Sequence, residues 1–291
     1  MLEEDGYIRL LGLGRCLPEA LPFYHYCLYS TCLRITPLHS RTLPFECNTC
    51  SIGQLNFPPD VAFPARVNIV KIRGLINGWK PCCVFLDGIE PLENINIDTV
   101  EALGIPLSAR TQGYSEIPGN IEAIVFDVFP GMYNGVGGVK VLETLSNIAQ
   151  SGLHVEVVFY LNQLRAAPIA PYLQSLPSST IIHLDYQGVA SLSKAEKLRE
   201  SLKERGYNYI YLRDSERWIW DDTECHQCGN RIVSRRNSIA IGHHVTSNCK
   251  CGYCGVQLPF KRVSMLEDNV RRIMSKKSIL TEWLDIYALT N

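Results

Sequence analysis

The sequence lacks an excess of either charge: 28 lysines and arginines face 29 aspartates and glutamates, so the formal net charge is −1 at pH 7. That balance argues against a protein whose whole surface is built for nucleic acid or for an anionic membrane. The sequence contains no run of 18 apolar residues, and its first residues lack a basic stretch followed by an apolar one. We therefore expect a cytoplasmic protein without a membrane partner.

Several catalytic signatures are also missing. The chain contains no G-x-S-x-G, no P-loop and no H-E-x-x-H, which argues against the commonest serine hydrolase, nucleotide triphosphatase and zinc peptidase sites. What the chain does have is 291 residues with 46% hydrophobic content, enough for one large core with appendages.

Cysteine is the abundant exception. The twelve cysteines fall into three groups, namely Cys16, Cys27, Cys32, Cys47 and Cys50, then Cys82 and Cys83, then Cys225, Cys228, Cys249, Cys251 and Cys254. Without an export signal, close Cys-x-x-Cys pairs favour metal ligation, and disulfides remain the alternative seen in hyperthermophile cytosols.

The C-terminal group predicts a zinc ribbon over residues 217–260. Cys225 with Cys228 and Cys251 with Cys254 form two Cys-x-x-Cys pairs, and four thiolates from two tight turns suit a tetrahedral zinc ion. A glycine follows each pair and permits the positive φ of such a turn. Because four sulfurs close the coordination sphere, the predicted role is structural. Cys249 is a spare that could replace Cys251.

The N-terminal group, in a cysteine-rich segment spanning residues 1–65, predicts a second metal site less strongly. Cys27, Cys32, Cys47 and Cys50 follow the spacing C-x4-C-x14-C-x2-C. Structural zinc is the first interpretation, and an iron–sulfur cluster or free and disulfide-bonded cysteines are the alternatives.

The middle of the chain, residues 66–216, predicts an α/β fold. Short β-branched runs cover residues 67–72, 82–86, 105–109, 121–129, 154–161, 180–186 and 207–214, and helical patterns ending in glycine cover 96–104, 137–152 and 191–206. This alternation is typical of βαβ units and a parallel sheet. Seven strands favour a partial or complete parallel β/α barrel, such as a TIM barrel, with a doubly wound sheet as the alternative.

Polar residues close these apolar runs. They are Arg73, Asp87, Arg110, Asp127, Asn162, Asp185 and Arg213. In a barrel they would line the active face, which makes Arg110, Asp127 and Asp185 candidate ligand-binding residues. Helix and loop capping is the simpler interpretation for each of them.

The C-terminal region predicts a rival function. Residues 225–277 carry ten basic and two acidic residues, so Arg235, Arg236, Arg271 and Arg272 could follow a phosphate backbone. The alternative is a basic amphipathic helix over residues 261–291 that packs on the core or contacts a protein assembly.

Several motifs resemble one family. The stretches GYNYIYLRD, TECHQCGNRIVSR and CGYCGVQLP, with IEAIVFDVFPGMYN, GGVKVLETLSNIAQSG and LHVEVVFYL upstream, resemble the radical SAM enzyme of the AmmeMemoRadiSam system, a relative of the pyruvate-formate-lyase-activating enzymes. The similarity covers roughly residues 121 to 260 and implies a partial β/α barrel of the radical SAM type.

The resemblance fails at the motif that carries the chemistry. Radical SAM enzymes hold a [4Fe–4S] cluster with C-x3-C-x2-C, and this chain contains no such motif. Adjacent Cys82 and Cys83 would point in opposite directions in an extended strand, so we do not expect them to share one cluster.

We therefore expect a non-classical member with structural zinc and with binding of a small S-adenosylmethionine-like ligand at the barrel mouth. No standard motif supports the iron–sulfur cluster or S-adenosylmethionine itself, and whether the chain is an enzyme stays open. A zinc-ribbon factor that binds nucleic acid or a protein assembly is the alternative.

Overall fold

The computed structural model describes residues 6–37, 64–130, 136–161, 169–174, 176–186, 192–213, 221–236, 238–264 and 281–290. Among these, the helices are α1 (Ile69–Trp79), α2 (Ile97–Glu101), α3 (Val136–Gln150), α4 (Ala170–Leu173) and α5 (Leu192–Glu204). No helix in these ranges is long and apolar enough to cross a membrane.

A mostly parallel sheet forms the centre of the molecule, as the alternating pattern predicts. Its parallel strands, in spatial order, are β2 (Cys32–Pro37), β4 (Cys83–Leu86), β5 (Leu107–Thr111), β6 (Ile121–Val128), β7 (His154–Tyr160), β8 (Ile181–Asp185) and β9 (Tyr209–Arg213). The strands follow one another in space in the order of the chain. Because they are parallel, all seven carboxyl ends lie at one edge of the sheet. The α/β class is therefore confirmed.

Two strands within residues 6–37 also join this sheet. Strand β1 (Tyr7–Cys16) runs antiparallel to β2, with Cys16 opposite Cys32. On its other side β1 pairs with β3 (Ala65–Asn68) and with β13 (Thr281–Trp283). The domain boundary predicted at residue 65 therefore divides one continuous sheet. The strands β1 and β2 were not recognised because no α-helix lies between them, so they do not show the βαβ pattern.

Two predicted elements differ from the structure. The run at 67–72 is strand only as far as Asn68, whose side chain accepts a hydrogen bond from the Val70 amide and begins α1. The helix expected within residues 261–291 is absent at its C-terminal part, where β13 forms an edge strand, and residues 265–280 lie outside the described residues.

The three helical patterns ending in glycine are confirmed. They correspond to α2, α3 and α5, and the glycines that follow have φ of +75° at Gly104, +79° at Gly152 and +93° at Gly206. Only glycine reaches this left-handed region without a steric cost.

The two faces of the sheet have different coverings. One face packs against the helices through a large apolar core that includes Ile72, Val141 and Leu202. The other face is covered by residues 17–31, which bury Phe23 and Tyr26 against Phe85. We call this stretch the inner segment.

A second, three-stranded antiparallel sheet follows the parallel strands. It consists of β10 (Thr223–Glu224), β11 (Arg231–Arg236) and β12 (Ile239–His243). With the loop that extends to Ser264 it has a small apolar core of its own. We call residues 221–264 the four-cysteine module.

Candidate functional site

The four cysteines predicted as zinc ligands lie together at the surface of the four-cysteine module. The sulfur atoms of Cys225, Cys228, Cys251 and Cys254 lie within 4.8 Å of one another. Two cross-pairs are 3.7 Å (Cys225 to Cys254) and 3.9 Å (Cys228 to Cys251). Four sulfurs placed tetrahedrally at about 2.3 Å from one ion would be about 3.8 Å apart. The group is therefore compatible with a bound metal such as zinc.

The two Cys-x-x-Cys turns have the same backbone design. In the first, the Gly229 amide donates to the Cys225 carbonyl at 2.9 Å, and in the second the Gly255 amide donates to the Cys251 carbonyl at 2.9 Å. Both glycines have positive φ, +69° and +76°, as the sequence predicts. Each turn thus presents two sulfurs from a backbone that is set before any ion binds.

One thiol of the group is already disposed to ionise. A hydrogen bond from the backbone of Asn230 lowers the pKa of Cys228 to about 7. The side-chain amide of Asn230 also donates to the Cys228 sulfur at 3.4 Å. Since the thiolate is the form that binds a metal ion, these contacts favour loading at neutral pH.

A close backbone approach joins the second turn to the rest of the module. The Gly252 amide donates to the carbonyl of His244 at 2.7 Å. A Cβ atom at this position would lie 2.7 Å from that same oxygen, closer than carbon and oxygen tolerate. Glycine is therefore required between the two cysteines of this turn.

The module docks onto the inner segment through main-chain hydrogen bonds. The Lys261 amide donates to the His25 carbonyl at 2.9 Å, and the Cys27 amide donates to the Lys261 carbonyl at 3.0 Å. The His25 ring stacks on Phe260 with ring centroids 4.1 Å apart. The four-cysteine module and the inner segment are thus in direct contact.

The N-terminal cysteines are arranged differently from the predicted set. Cys27 forms a disulfide with Cys82, so in this state it is not free to ligate a metal with Cys32. Cys47 and Cys50 lie outside the described residues. Local spacing suggested a set within residues 27–50, whereas the fold brings a cysteine from a later strand to Cys27.

At the carboxyl edge of the sheet, Arg110 lies between two carboxylates. Its Nε donates to Asp87 at 2.8 Å, and its Nη1 donates to both oxygens of Asp127 at 3.1 Å. Arg34 forms a further ion pair with Asp87, and the Tyr160 hydroxyl donates to Asp127 at 2.9 Å. Five strand ends thus share one buried network.

The carboxylates of this edge differ in their protonation. The neighbouring Arg34 and Arg110 outweigh burial and lower the pKa of Asp87, whereas burial dominates at Asp127 and raises its pKa to about 6. Asp185, the third candidate, is buried on β8, two strands from β6. Strands two apart are roughly 9.5 Å from each other, so Asp127 and Asp185 line the same edge without forming one carboxylate pair.

A polar pocket beside Arg110 had no sequence signal. Glu90 accepts hydrogen bonds from the Thr111 and Ser115 hydroxyls at 3.0 and 2.6 Å and from the Gln112 amide nitrogen of the backbone. The side-chain amide of Gln112 is buried, and within the described part of the chain neither its oxygen nor its nitrogen has a hydrogen-bond partner. An unsatisfied buried amide is costly, so it marks a place where a ligand would be favoured.

A second missed cluster lies under the inner segment. The Glu156 carboxylate accepts from the backbone amides of Tyr24 and His25, both at 2.8 Å, and contacts the rings of His154 and His183 at 3.0 and 2.8 Å. These hydrogen bonds hold the pKa of Glu156 well below its usual range. A charged residue inside the apolar run HVEVVFY was the available signal.

Of the four arginines predicted to contact nucleic acid, the structure describes Arg235 and Arg236. Arg235 is 3% exposed, and its guanidinium donates to the Tyr24 and Asp221 carbonyls, each at 2.7 Å, so its prediction as a phosphate contact is wrong. Arg236 is exposed, and Arg271 and Arg272 lie outside the described residues. In the nearby chain Arg262 pairs with Glu122 at 2.8 Å, which neutralises part of the local charge.

No protein-family model matches the chain, and no curated protein matches it either.

Proposed function

We propose that the chain is a radical-SAM-like α/β protein that binds a small S-adenosylmethionine-like ligand at the carboxyl edge of its parallel sheet. In this proposal the four-cysteine module holds zinc, which stabilises the module and performs no chemistry, since four sulfurs leave no open position. The sequence resemblance and the run of parallel strands in chain order support the proposal. The missing C-x3-C-x2-C motif argues for ligand binding without the classical radical reaction.

One observation carries the binding site: Arg110 is fixed between Asp87 and Asp127, on three neighbouring strand ends. Ligands of parallel α/β folds bind beyond the carboxyl ends of the strands, where loops meet over the sheet. The buried charged groups at this edge are Arg34, Asp87, Arg110 and Asp127. Their burial costs free energy that a purely structural sheet edge avoids by using apolar residues. Their retention at this edge favours a binding role.

The available groups define the ligand chemistry. Gln112 offers one buried donor and one buried acceptor, which suit an amide-like or nucleobase edge. Asp127, whose pKa is raised to about 6, lies in the same edge and loses its proton in the physiological range. A raised pKa in a buried polar edge is typical of a binding or catalytic group. A zwitterionic nucleoside such as S-adenosylmethionine offers both a nucleobase edge for Gln112 and a charged group for Asp127.

Calorimetric titration of the zinc-loaded protein with S-adenosylmethionine tests the proposal, with adenosine and methionine as separate ligands. We expect saturable binding of S-adenosylmethionine and a loss of at least about tenfold in affinity in Gln112→Ala, since an unpaired buried polar group on the ligand costs about 1–3 kcal/mol. Gln150→Ala, an exposed glutamine at the end of α3, is the matched control. A folded, zinc-loaded protein that binds none of the three ligands at millimolar concentration would overturn the proposal.

A further inference from the structure

A second group of cysteine sulfurs lies buried between the inner segment and the sheet. The sulfur atoms of Cys27, Cys32 and Cys83 lie within 4.8 Å of one another, and Cys82 is bonded to Cys27. The sulfurs of Cys32 and Cys83 are 3.1 Å apart. Three sulfurs therefore lie close together in one small volume, and the Cys82 sulfur joins them through its bond to Cys27.

Strand register explains this convergence. Cys32 begins β2 and Cys83 begins the adjacent β4, and the two are directly paired in the parallel ladder. Cys82 precedes β4 and is not part of its alternation, because Lys80 takes a left-handed conformation and turns the chain just before it. The two adjacent cysteines meet different partners, since Cys82 is bonded to Cys27 and the Cys83 sulfur lies against that of Cys32.

Hydroxyl groups lie near the sulfurs. The Ser108 hydroxyl contacts the Cys83 sulfur at 3.4 Å and the Val84 carbonyl at 3.0 Å. The buried hydroxyls of Tyr26 and Thr31 have no hydrogen-bond partner among the residues that the structure describes. Tyr26 packs in the same buried cluster as Cys27, Cys32 and Cys83. Such donors are suited to thiolate sulfur, which accepts hydrogen bonds better than a thiol does.

We propose that Cys27, Cys32, Cys82 and Cys83, once reduced, bind one divalent d10 ion such as Zn²⁺ as a second tetrathiolate site. A single ion suits sulfurs this close together, whereas a cubane iron–sulfur cluster holds its thiolates farther apart.

The chemistry has two balanced steps. A dithiol reductant, of the class used by cellular thiol oxidoreductases, transfers two electrons and two protons to the Cys27–Cys82 disulfide and becomes a disulfide itself. The four resulting thiols then release four protons when one divalent ion binds. Oxidation reverses the sequence and expels the ion, so the site is occupied only in the reduced protein.

The site borders the docking surface of the four-cysteine module. The Cys27 amide donates to the Lys261 carbonyl, and the Ser264 amide donates to the Leu28 carbonyl at 2.9 Å. A change from disulfide to metal ligation at Cys27 would therefore act directly on the chain that carries the module. This inference is independent of ligand binding at the carboxyl edge.

Zinc counting on the full-length protein, purified anaerobically with and without a dithiol reductant, tests the proposal. We expect about two ions per chain after reduction and about one in the oxidised protein, because only the four-cysteine module then offers four thiolates. Cadmium substitution gives a second readout, since the cadmium–thiolate absorption in the near ultraviolet should about double on reduction.

Two variants locate the second ion. Cys32→Ser/Cys83→Ser leaves the Cys27–Cys82 disulfide available, so the oxidised protein should still fold and its reduced form should hold about one ion. Cys16→Ser removes a buried thiol that contacts the Cys32 carbonyl but is not one of the four, and it should keep the second ion. The proposal is overturned if reduced wild-type protein holds one ion only, or if Cys32→Ser/Cys83→Ser retains two.

Discussion

The four-cysteine module and the inner segment both depend on cysteine, but the chain presents the cysteines differently. In the module, sulfurs come in pairs from two equivalent tight turns and lie near the surface, with Cys254 exposed. In the inner segment, Cys27 meets a residue 55 positions away, and its neighbours Cys32 and Cys83 begin buried strands. Each sulfur pair of the module is set by a turn of a few residues, whereas the sulfurs of Cys32 and Cys83 are brought together by strand register.

The two regions also differ in the interactions that stabilise them besides those of their cysteines. The module has a small apolar core, and residues such as Ile232 and Val233 provide most of it. The inner segment packs aromatic side chains on the sheet and adds the Glu156 network beneath them. The module should therefore depend on its metal more than the inner segment depends on its disulfide.

The largest effect is expected when the module loses a sulfur. Cys225→Ser should abolish zinc binding by the four-cysteine module and unfold residues 221–264, because on the order of 10 kcal/mol of metal-binding free energy supports such small sites. Metal content and amide hydrogen exchange of β11 and β12 measure both losses. Cys249→Ser, the spare cysteine of the same module, is the control, and zinc loss in that variant would mean that Cys249 is a ligand.

Replacement of the buried carboxylate tests the inner segment directly. Glu156→Gln should destabilise the protein by about 3–5 kcal/mol, because an amide nitrogen replaces an oxygen that accepts two hydrogen bonds. Urea denaturation measures the change. Glu122→Gln, a half-buried surface carboxylate paired with Arg262, should cost less than about 1 kcal/mol.

The same carboxylate gives the sign of a pH dependence. The folded-state pKa of Glu156 lies below its ordinary value of 4.5, so its contribution is present above that value and is lost as pH falls further. Wild-type stability should therefore decrease between about pH 5 and pH 3, and Glu156→Gln should decrease less. Equal slopes for the two proteins would show that other groups govern acid unfolding.

Removal of the disulfide sharpens the comparison at a smaller magnitude. Cys27→Ala/Cys82→Ala should lower the free energy of unfolding by about 2–4 kcal/mol, mainly by freeing the unfolded chain. Thermal denaturation under oxidising conditions measures it. If this double variant were less stable than Cys225→Ser, the ranking of the two regions would be reversed.

The smallest effect is expected at the junction between the regions. Arg235→Lys should cost about 1–3 kcal/mol, because lysine cannot reproduce the fork of hydrogen bonds to Tyr24, Asp221 and Thr223. Arg236→Lys, its exposed neighbour, should be neutral. Melting temperature reports the cost, and a loss confined to Arg236→Lys would argue for a functional surface there.

Sequence patterns predicted the elements whose signals are local. The parallel strands, the helices ending at Gly104, Gly152 and Gly206, and the turns at Gly229 and Gly255 each depend on residues within a few positions. The polar residues at the carboxyl edge of the sheet were predicted individually, but the contacts between them were not. Nothing in the chain indicates that Arg110 lies between Asp87 and Asp127 until the strand order is known.

What the sequence could not show depends on contacts between distant residues. β1 and β2 carry no helix between them, so their membership of the sheet was invisible to an alternating pattern. The spacing of Cys27, Cys32, Cys47 and Cys50 predicts a local site. It gives no indication that Cys27 pairs with the distant Cys82. β13 is short and polar, and its strand conformation comes from the free edge of β1 rather than from its own residues.

The pairing of β13 with β1 has a consequence for synthesis. Gly14 opposes Trp283 in the ladder, so this side of β1 lacks its partner strand until residues 281–283 have been made. A nascent protein in this state carries an exposed strand edge, which invites pairing with other chains. We expect nascent chains that stop short of residue 281 to require chaperone protection that the longer chain does not need.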